Sequence, residues 1–114
     1  MEEAKAIIKE KISSKKVMVF SKPYCPYCKM AKGVLKKYVG KELNNGNYEV
    51  WEIDRAPNCY QLQQALKKMT GAQSVPRVFI NGRCIGGGTE TQDLEKRGQL
   101  AKMLRSTEQT QLKM

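Results

Sequence analysis

The 114-residue sequence has no histidine, and that absence removes several chemistries at once. Ser-His-Asp and Cys-His nucleophile pairs are excluded, as are zinc sites that depend on imidazole. No apolar run approaches the roughly 20 residues of a membrane-spanning helix, so no membrane partner is expected. The start, Met1-Glu2-Glu3-Ala4-Lys5, carries charge where a secretory signal has its apolar core. Secretion is therefore not expected, and a reduced, cytoplasmic setting is. Internal repeats and low-complexity segments are also missing. The length fits one domain, 1–114, folded over about 1–105 and ending in a polar tail at 106–114.

What is present in excess is positive charge. The formal net charge is +10. Residues 1–41 hold eleven Lys and three Glu, a net +8 of that total. Such a field attracts anions. The lysines are interleaved with core positions, and no aromatic-rich pattern of the kind that stacks single strands accompanies them, so no nucleic-acid partner is expected. Two readings stand: a solvated surface, or a field that stabilises a thiolate and draws in an anionic thiol.

Periodicity gives the order α-β-α-β-α-β-β-α. Ala4, Ile7, Ile8 and Ile12 share one face of a helix over 2–13. Val17 to Phe20 is a short β-branched strand, and a helix is expected from Cys25–Pro26, because proline suits the first helical turn. Its apolar stripe is Ala31, Val34, Leu35 and Tyr38. Tyr48 to Ile53 reads as a second strand. Asn58 and Gln61 read as a capping box opening a helix over about 59–69. Arg77–Ile80, Asn81-Gly82 and Arg83–Ile85 form a hairpin signal, since Asn-Gly fits a type I′ turn. Residues 90–105 read as a helix interrupted near Gly98. A right-handed β-α-β crossover makes the first two strands parallel, and the hairpin adds an antiparallel pair. The expected fold class is α/β: a small four-stranded mixed sheet with helices on both faces.

Four cysteines stand in this frame: Cys25, Cys28, Cys59 and Cys84. Cys25-Pro26-Tyr27-Cys28 falls in the first β-α connection. There the first cysteine meets the unpaired N–H groups and the positive end of a helix, with Lys22 and Lys29 alongside. Such cysteines ionise at roughly pH 3.5–7.5, so Cys25 is expected as thiolate and nucleophile. Cys28, one turn on, is expected to resolve. Chance core residues, half of a zinc site and a structural disulfide compete with this reading. Against them stand the Pro-Tyr spacer after a strand, the lack of a second Cys-x-x-Cys, and the small gain from closing a four-residue loop. Cys59 shares a face with Leu62, Leu66 and Met69 and reads as a small apolar residue. Cys84, after the turn, is the better candidate for modification. Neither is expected to lie at a helix N-terminus that would activate it, and neither is expected to be needed for turnover.

Lys22-Pro23-Tyr24-Cys25-Pro26-Tyr27-Cys28 resembles the active site of dithiol glutaredoxins and is unlike the Trp-Cys-Gly-Pro-Cys of thioredoxins. Ser74-Val75-Pro76 is similar to that family's Thr-Val-Pro, whose proline is cis. Gly86-Gly87-Gly88-Thr89-Glu90 is similar to its Gly-Gly-x-Ser/Thr-Asp. The resemblance runs from about Val17 to Leu104 and implies the thioredoxin fold. It implies a glutathione-dependent oxidoreductase acting on protein–glutathione mixed disulfides and protein disulfides. Lys22, Tyr27, Gln63, Ser74, Val75, Pro76, Gly87, Thr89 and Glu90 would contact glutathione. Lys22 and Gln63 would take the glycine carboxylate and the backbone of Val75 the cysteine moiety. The helix start at Thr89 would take the γ-glutamyl carboxylate. Ser74 and Glu90 depart from the family's Thr and Asp, and the longer Glu90 shifts the carboxylate that would meet the glutathione ammonium.

Glutathione is thus the expected co-substrate, with no metal, and glutathione reductase the coupled partner of a monomer. Two alternatives compete. A thioredoxin-like reductase fed by a flavoprotein is opposed by Tyr27 and the missing Trp. An iron–sulfur module is opposed by Pro26, which stiffens the loop.

Overall fold

The computed structural model describes residues 2–106. The expected polar tail lies outside the described residues except for Ser106. The elements are α1 (Glu2–Ser14), β1 (Val17–Ser21), α2 (Pro26–Lys36), a 3-10 turn (Asn45–Asn47) and β2 (Tyr48–Glu52). They continue with α3 (Cys59–Thr70), β3 (Arg77–Ile80), β4 (Arg83–Gly86), α4 (Gly88–Lys96) and α5 (Leu100–Arg105). The strands form one sheet in the order β2-β1-β3-β4. β1 pairs parallel with β2 and antiparallel with β3, and β4 returns antiparallel to β3.

The side-chain alternation of the strands divides the core. Met18, Phe20 and Phe79 pack with Ala4 and Ile8 of α1 and Leu62, Ala65 and Leu66 of α3. Val17, Val19, Val78 and Ile80 point the other way, to Ala31 and Leu35 of α2 and Leu100 and Leu104 of α5. All five residues of β1 are buried, as befits a central strand covered on both faces. Each fully buried Leu, Ile or Phe contributes about 1.5–3 kcal/mol of transfer free energy, so the two clusters hold β1 from both sides.

The hairpin forms as expected. Asn81 and Gly82 both have positive φ, 54° and 82°, the backbone of a type I′ turn. Two expectations need correction. Asn58 stands at the N-cap of α3 but its side chain makes no capping bond, because its ψ of 28° leaves the extended backbone that aims an N-cap side chain at the first turn. The last helical stretch is interrupted around Gly98 as expected, but its first helix begins at Gly88, two residues earlier than expected. Gly87 takes the N-cap position there. Its N–H is held by the Glu90 carboxylate at 2.8 Å, a backbone-based start that residue propensity does not reveal.

Candidate functional site

β1 ends at Ser21, and the chain turns through Lys22–Tyr24 onto α2, the Cys25 N–H donating to Lys22 O at 3.2 Å. Cys25 is the N-cap of α2, with φ −86° and ψ 121°, and Pro26 follows it. Extended backbone at an N-cap directs the side chain over the first-turn N–H groups. Proline supplies the first helical residue without a donor of its own.

The two thiols of this turn meet opposite surroundings. Burial pushes the Cys25 thiol up, but the Cys28 N–H, the Cys28 thiol, the Tyr27 N–H and the Lys22 charge outweigh it. The net effect holds Cys25 below the ordinary thiol range. Cys28 is fully buried, and that burial pushes its thiol up. The Lys22 N–H donates to its sulfur at 3.4 Å, which opposes burial without overcoming it. Cys25 is half-exposed, so the accessible sulfur is also the more acidic one.

Three backbone and side-chain walls surround Cys25. The Val75–Pro76 peptide bond is cis, and the Cys25 thiol donates to Val75 O at 3.6 Å. Ionisation of the thiol would release that carbonyl. On the α3 side, Lys22 Nζ donates to Gln63 Oε1 at 3.2 Å, and Gln63 Nε2 donates to Gln73 O at 2.9 Å. These contacts bring Lys22 and Gln63 together. On the α4 side, a Cβ added to Gly88 would lie 2.5 Å from Tyr27 O, so only glycine allows α4 to start this close to the dithiol turn.

The start of α4 has two kinds of donor. The Gly87 N–H goes to Glu90 Oε1. Glu90 is held below the ordinary carboxylate range by the Gly87 N–H first and its own N–H next, against burial, with the Arg77 charge adding to the effect. The Gly88 and Thr89 N–H groups have no intrahelical acceptor, because the ladder begins with Thr91 N–H on Gly87 O at 3.0 Å. Two adjacent N–H groups at a helix start suit a carboxylate. Ser74 is exposed beside Val75, and Tyr27 is 55% exposed.

The remaining cysteines pack on the core. Cys59 is the first residue of α3, where the expected helix start placed it. Its thiol donates to Gln63 Oε1 at 3.6 Å and packs against the Phe20–Phe79 core. Cys84 packs on the same cluster, and burial pushes its thiol up. Sequence reasoning missed three contributors: Ser21, whose hydroxyl neighbours Cys28; Gln73, which anchors Gln63; and Arg77, whose Nε donates to Pro76 O at 3.0 Å. The strand pattern marked Arg77 only as a strand residue. Among the described residues, no group of three or more His, Cys, Asp or Glu is placed to hold a metal ion. No helix there is long and apolar enough to cross a membrane.

Comparison with known proteins gives this geometry a context. A family model described as Glutaredoxin matches residues 17–85. The chain is 44% identical over 97 residues to Glutaredoxin-C4 of Arabidopsis thaliana, covering 85% of this chain and 67% of that one. It is 46% identical over 93 residues to the protein named Glutaredoxin-2, mitochondrial, of Bos taurus, covering 82% of this chain and 55% of that one. The chain therefore spans only about half to two thirds of these relatives' length. Among solved structures, the buckwheat glutaredoxin–glutathione complex superposes with a TM-score of 0.81 at 31% identity, covering 90% of this chain and 88% of that one.

Proposed function

The chain belongs to the glutaredoxin family of glutathione-dependent thiol–disulfide oxidoreductases, and we propose that Cys25 is its attacking thiolate and Cys28 its resolving thiol. The observation that carries this reading is the opposite treatment of two sulfurs one helical turn apart: Cys25 is accessible and acidified, Cys28 buried and kept as thiol. Only a thiolate attacks a disulfide, so accessibility and acidity on the same atom select the nucleophile.

In the monothiol route, the Cys25 thiolate attacks the glutathione sulfur of a protein–glutathione mixed disulfide. The Cys25–glutathione bond forms, the old S–S bond breaks, and the protein thiolate leaves and takes a proton from water. A second glutathione thiolate then attacks the bound glutathione sulfur, releasing glutathione disulfide and regenerating the Cys25 thiolate. In the dithiol route, Cys25 opens a protein disulfide and forms a mixed disulfide with it. Cys28, after losing its proton, displaces the protein and closes the Cys25–Cys28 bond. Two glutathiones reduce that bond.

The glutathione contacts follow from the three walls. Lys22 and Gln63, already joined at 3.2 Å, take the glycine carboxylate. Ser74, Val75 and Pro76 offer a backbone edge to the cysteine moiety, with the exposed Tyr27 beside Gly88 as a further contact. Gly87 carries the corner at which the N–H groups of Gly88 and Thr89 take the γ-glutamyl carboxylate, and Glu90 lies within reach of its ammonium. An assay with a small glutathione mixed disulfide, glutathione and glutathione reductase tests the reading. Turnover is expected, and none with glutathione as the sole reductant would overturn it.

The same reading treats the chain as one glutaredoxin domain working as a monomer, coupled to glutathione reductase. It places the protein in the cytoplasm, where a reduced glutathione pool resets the dithiol. Fractionation of cells expressing the chain tests the location. Recovery in mitochondria, the compartment in the bovine relative's name, would overturn it.

A further inference from the structure

The start of α4 already holds a negative charge. Glu90 turns back over Gly86 and Gly87, its Cγ 2.7 Å from where a Cβ on Gly86 would stand and its Oε1 on the Gly87 N–H. A ligand carboxylate that uses the Gly88 and Thr89 N–H groups must therefore approach a resident carboxylate. Like charges in such proximity oppose one another, and the helix N-terminus alone is a modest attraction.

Arg77 supplies the missing opposite charge. It follows the cis proline, so its backbone belongs to the wall that receives the cysteine moiety. Its Nε is fixed on Pro76 O at 3.0 Å. Its Nη2 lies 3.0 Å from where a Cβ on Gly87 would stand, which puts the guanidinium against the N-cap of α4. Among the described residues Arg77 enters no ion pair, and Nε is one of five donors, so the fork keeps donors for a ligand. Glycine at 87 is what allows this approach, since a side chain there would displace the guanidinium.

We infer that Arg77 is a specificity-determining residue, whose fixed charge beside Gly87 makes this corner select thiols bearing an α-carboxylate on the γ-glutamyl group despite Glu90. The inference rests on the glutathione-binding reading above and adds a residue to it. It predicts that the carboxylate, more than the ammonium, is what the corner recognises.

Peptide mixed disulfides of three thiols separate the possibilities: glutathione, 4-aminobutyryl-cysteinyl-glycine, which lacks the α-carboxylate, and glutaryl-cysteinyl-glycine, which lacks the α-amino group. The reduced full chain is mixed with each in single turnover, and release of the peptide thiol gives a limiting rate and a half-saturation concentration. Arg77→Gln is expected to raise the half-saturation concentration about fivefold for glutathione and for the glutaryl compound, the scale of one exposed ion pair. The penalty for the aminobutyryl compound should be several-fold smaller, the limiting rates should change little, and Arg77→Lys should restore most of the selectivity. An equal penalty for all three thiols would mean that Arg77 acts only through the Pro76 loop, and would overturn the inference while leaving glutathione turnover intact. Absence of any penalty would overturn it too. A wild-type chain inert towards the glutathione mixed disulfide would instead overturn the functional reading, and this inference with it.

Discussion

Cys25 and Cys59 both stand at the start of a helix, yet their sulfurs meet different surroundings. Cys25 is the N-cap of α2 with extended backbone; its thiol donates to Val75 O, and the N–H groups of Cys28 and Tyr27 help to hold it below the ordinary thiol range against burial. Cys59 is one position further in, the first helical residue of α3. Helical side chains lean back toward the N-terminus and away from the axis. The Cys59 sulfur accordingly meets an acceptor, Gln63 Oε1, and the apolar side chains of the Phe20 cluster. Both thiols donate to an oxygen, Val75 O and Gln63 Oε1, but only Cys25 stands at the N-cap, one residue before its helix, whereas Cys59 is inside the first turn and packs on the core. Proximity to a helix N-terminus does not by itself make a reactive thiol.

The largest effect should come from the N-cap sulfur. Cys25→Ser should lower every glutathione-dependent activity on the order of a thousandfold or more, because a hydroxyl at the same place stays protonated. Steady-state turnover measures it, and residual activity carried by another cysteine would break the comparison. Cys28→Ser comes next and should divide the two routes. Deglutathionylation should retain most of its rate, whereas protein-disulfide reduction should fall to background. Equal loss of both would mean that Cys28 takes part in the first attack.

A third test titrates the site. The Cys25 thiol is held low, so the thiolate fraction rises as pH climbs through the folded value and is complete above it. The rate of alkylation should follow that curve, with a midpoint below the roughly 8.5 of an ordinary cysteine. The same shift contributes stability above the unfolded value, and that stability is lost as pH falls through the folded one. Lys22→Gln removes one of the groups that lower it, so the midpoint should move up. Near neutrality kcat/KM should drop about two- to fivefold, the scale of one partly exposed charge. An unmoved midpoint would show that the N–H groups act alone.

The sequence made most of this legible where local rules govern. Asn81-Gly82 dictates its turn, Val17 to Phe20 can only be a buried strand, and Cys-Pro-Tyr-Cys between a strand and a helix announces its chemistry. It was silent where a side chain folds back on remote backbone. Glu90 caps Gly87 because α4 begins in glycines, which have no capping side chain to reveal the start. Arg77 leaves the strand pattern to lie on Pro76 and Gly87, a contact set by the β3–β4 pairing and not by any spacing. Asn58 erred in the other direction: the residue type is right for a cap, but Ala56 O takes the Cys59 N–H and turns the backbone out of capping geometry.

The smallest effect on activity should come from the acceptor-facing and buried pair. In Cys59→Ser the hydroxyl is a stronger donor than the thiol, so Gln63 Oε1 keeps its partner and Lys22 keeps its hold on Gln63. In Cys84→Ser a polar group replaces a half-buried sulfur whose surroundings already penalise charge. The cost there is stability, about 1 kcal/mol, read as a lower midpoint in urea unfolding. The double variant should therefore turn over within about twofold of the parent, since burial keeps the Cys84 thiol up despite the Gly86 N–H, and the Cys59 thiol is turned to Gln63 Oε1. Mass spectrometry of the oxidised parent chain completes the test. Glutathione should be recovered on Cys25 first, and a double variant that lost turnover while remaining folded would place part of the resolving chemistry on Cys59 or Cys84. That outcome would overturn the view that the N-cap position of Cys25, and not a helix start as such, selects the reactive sulfur.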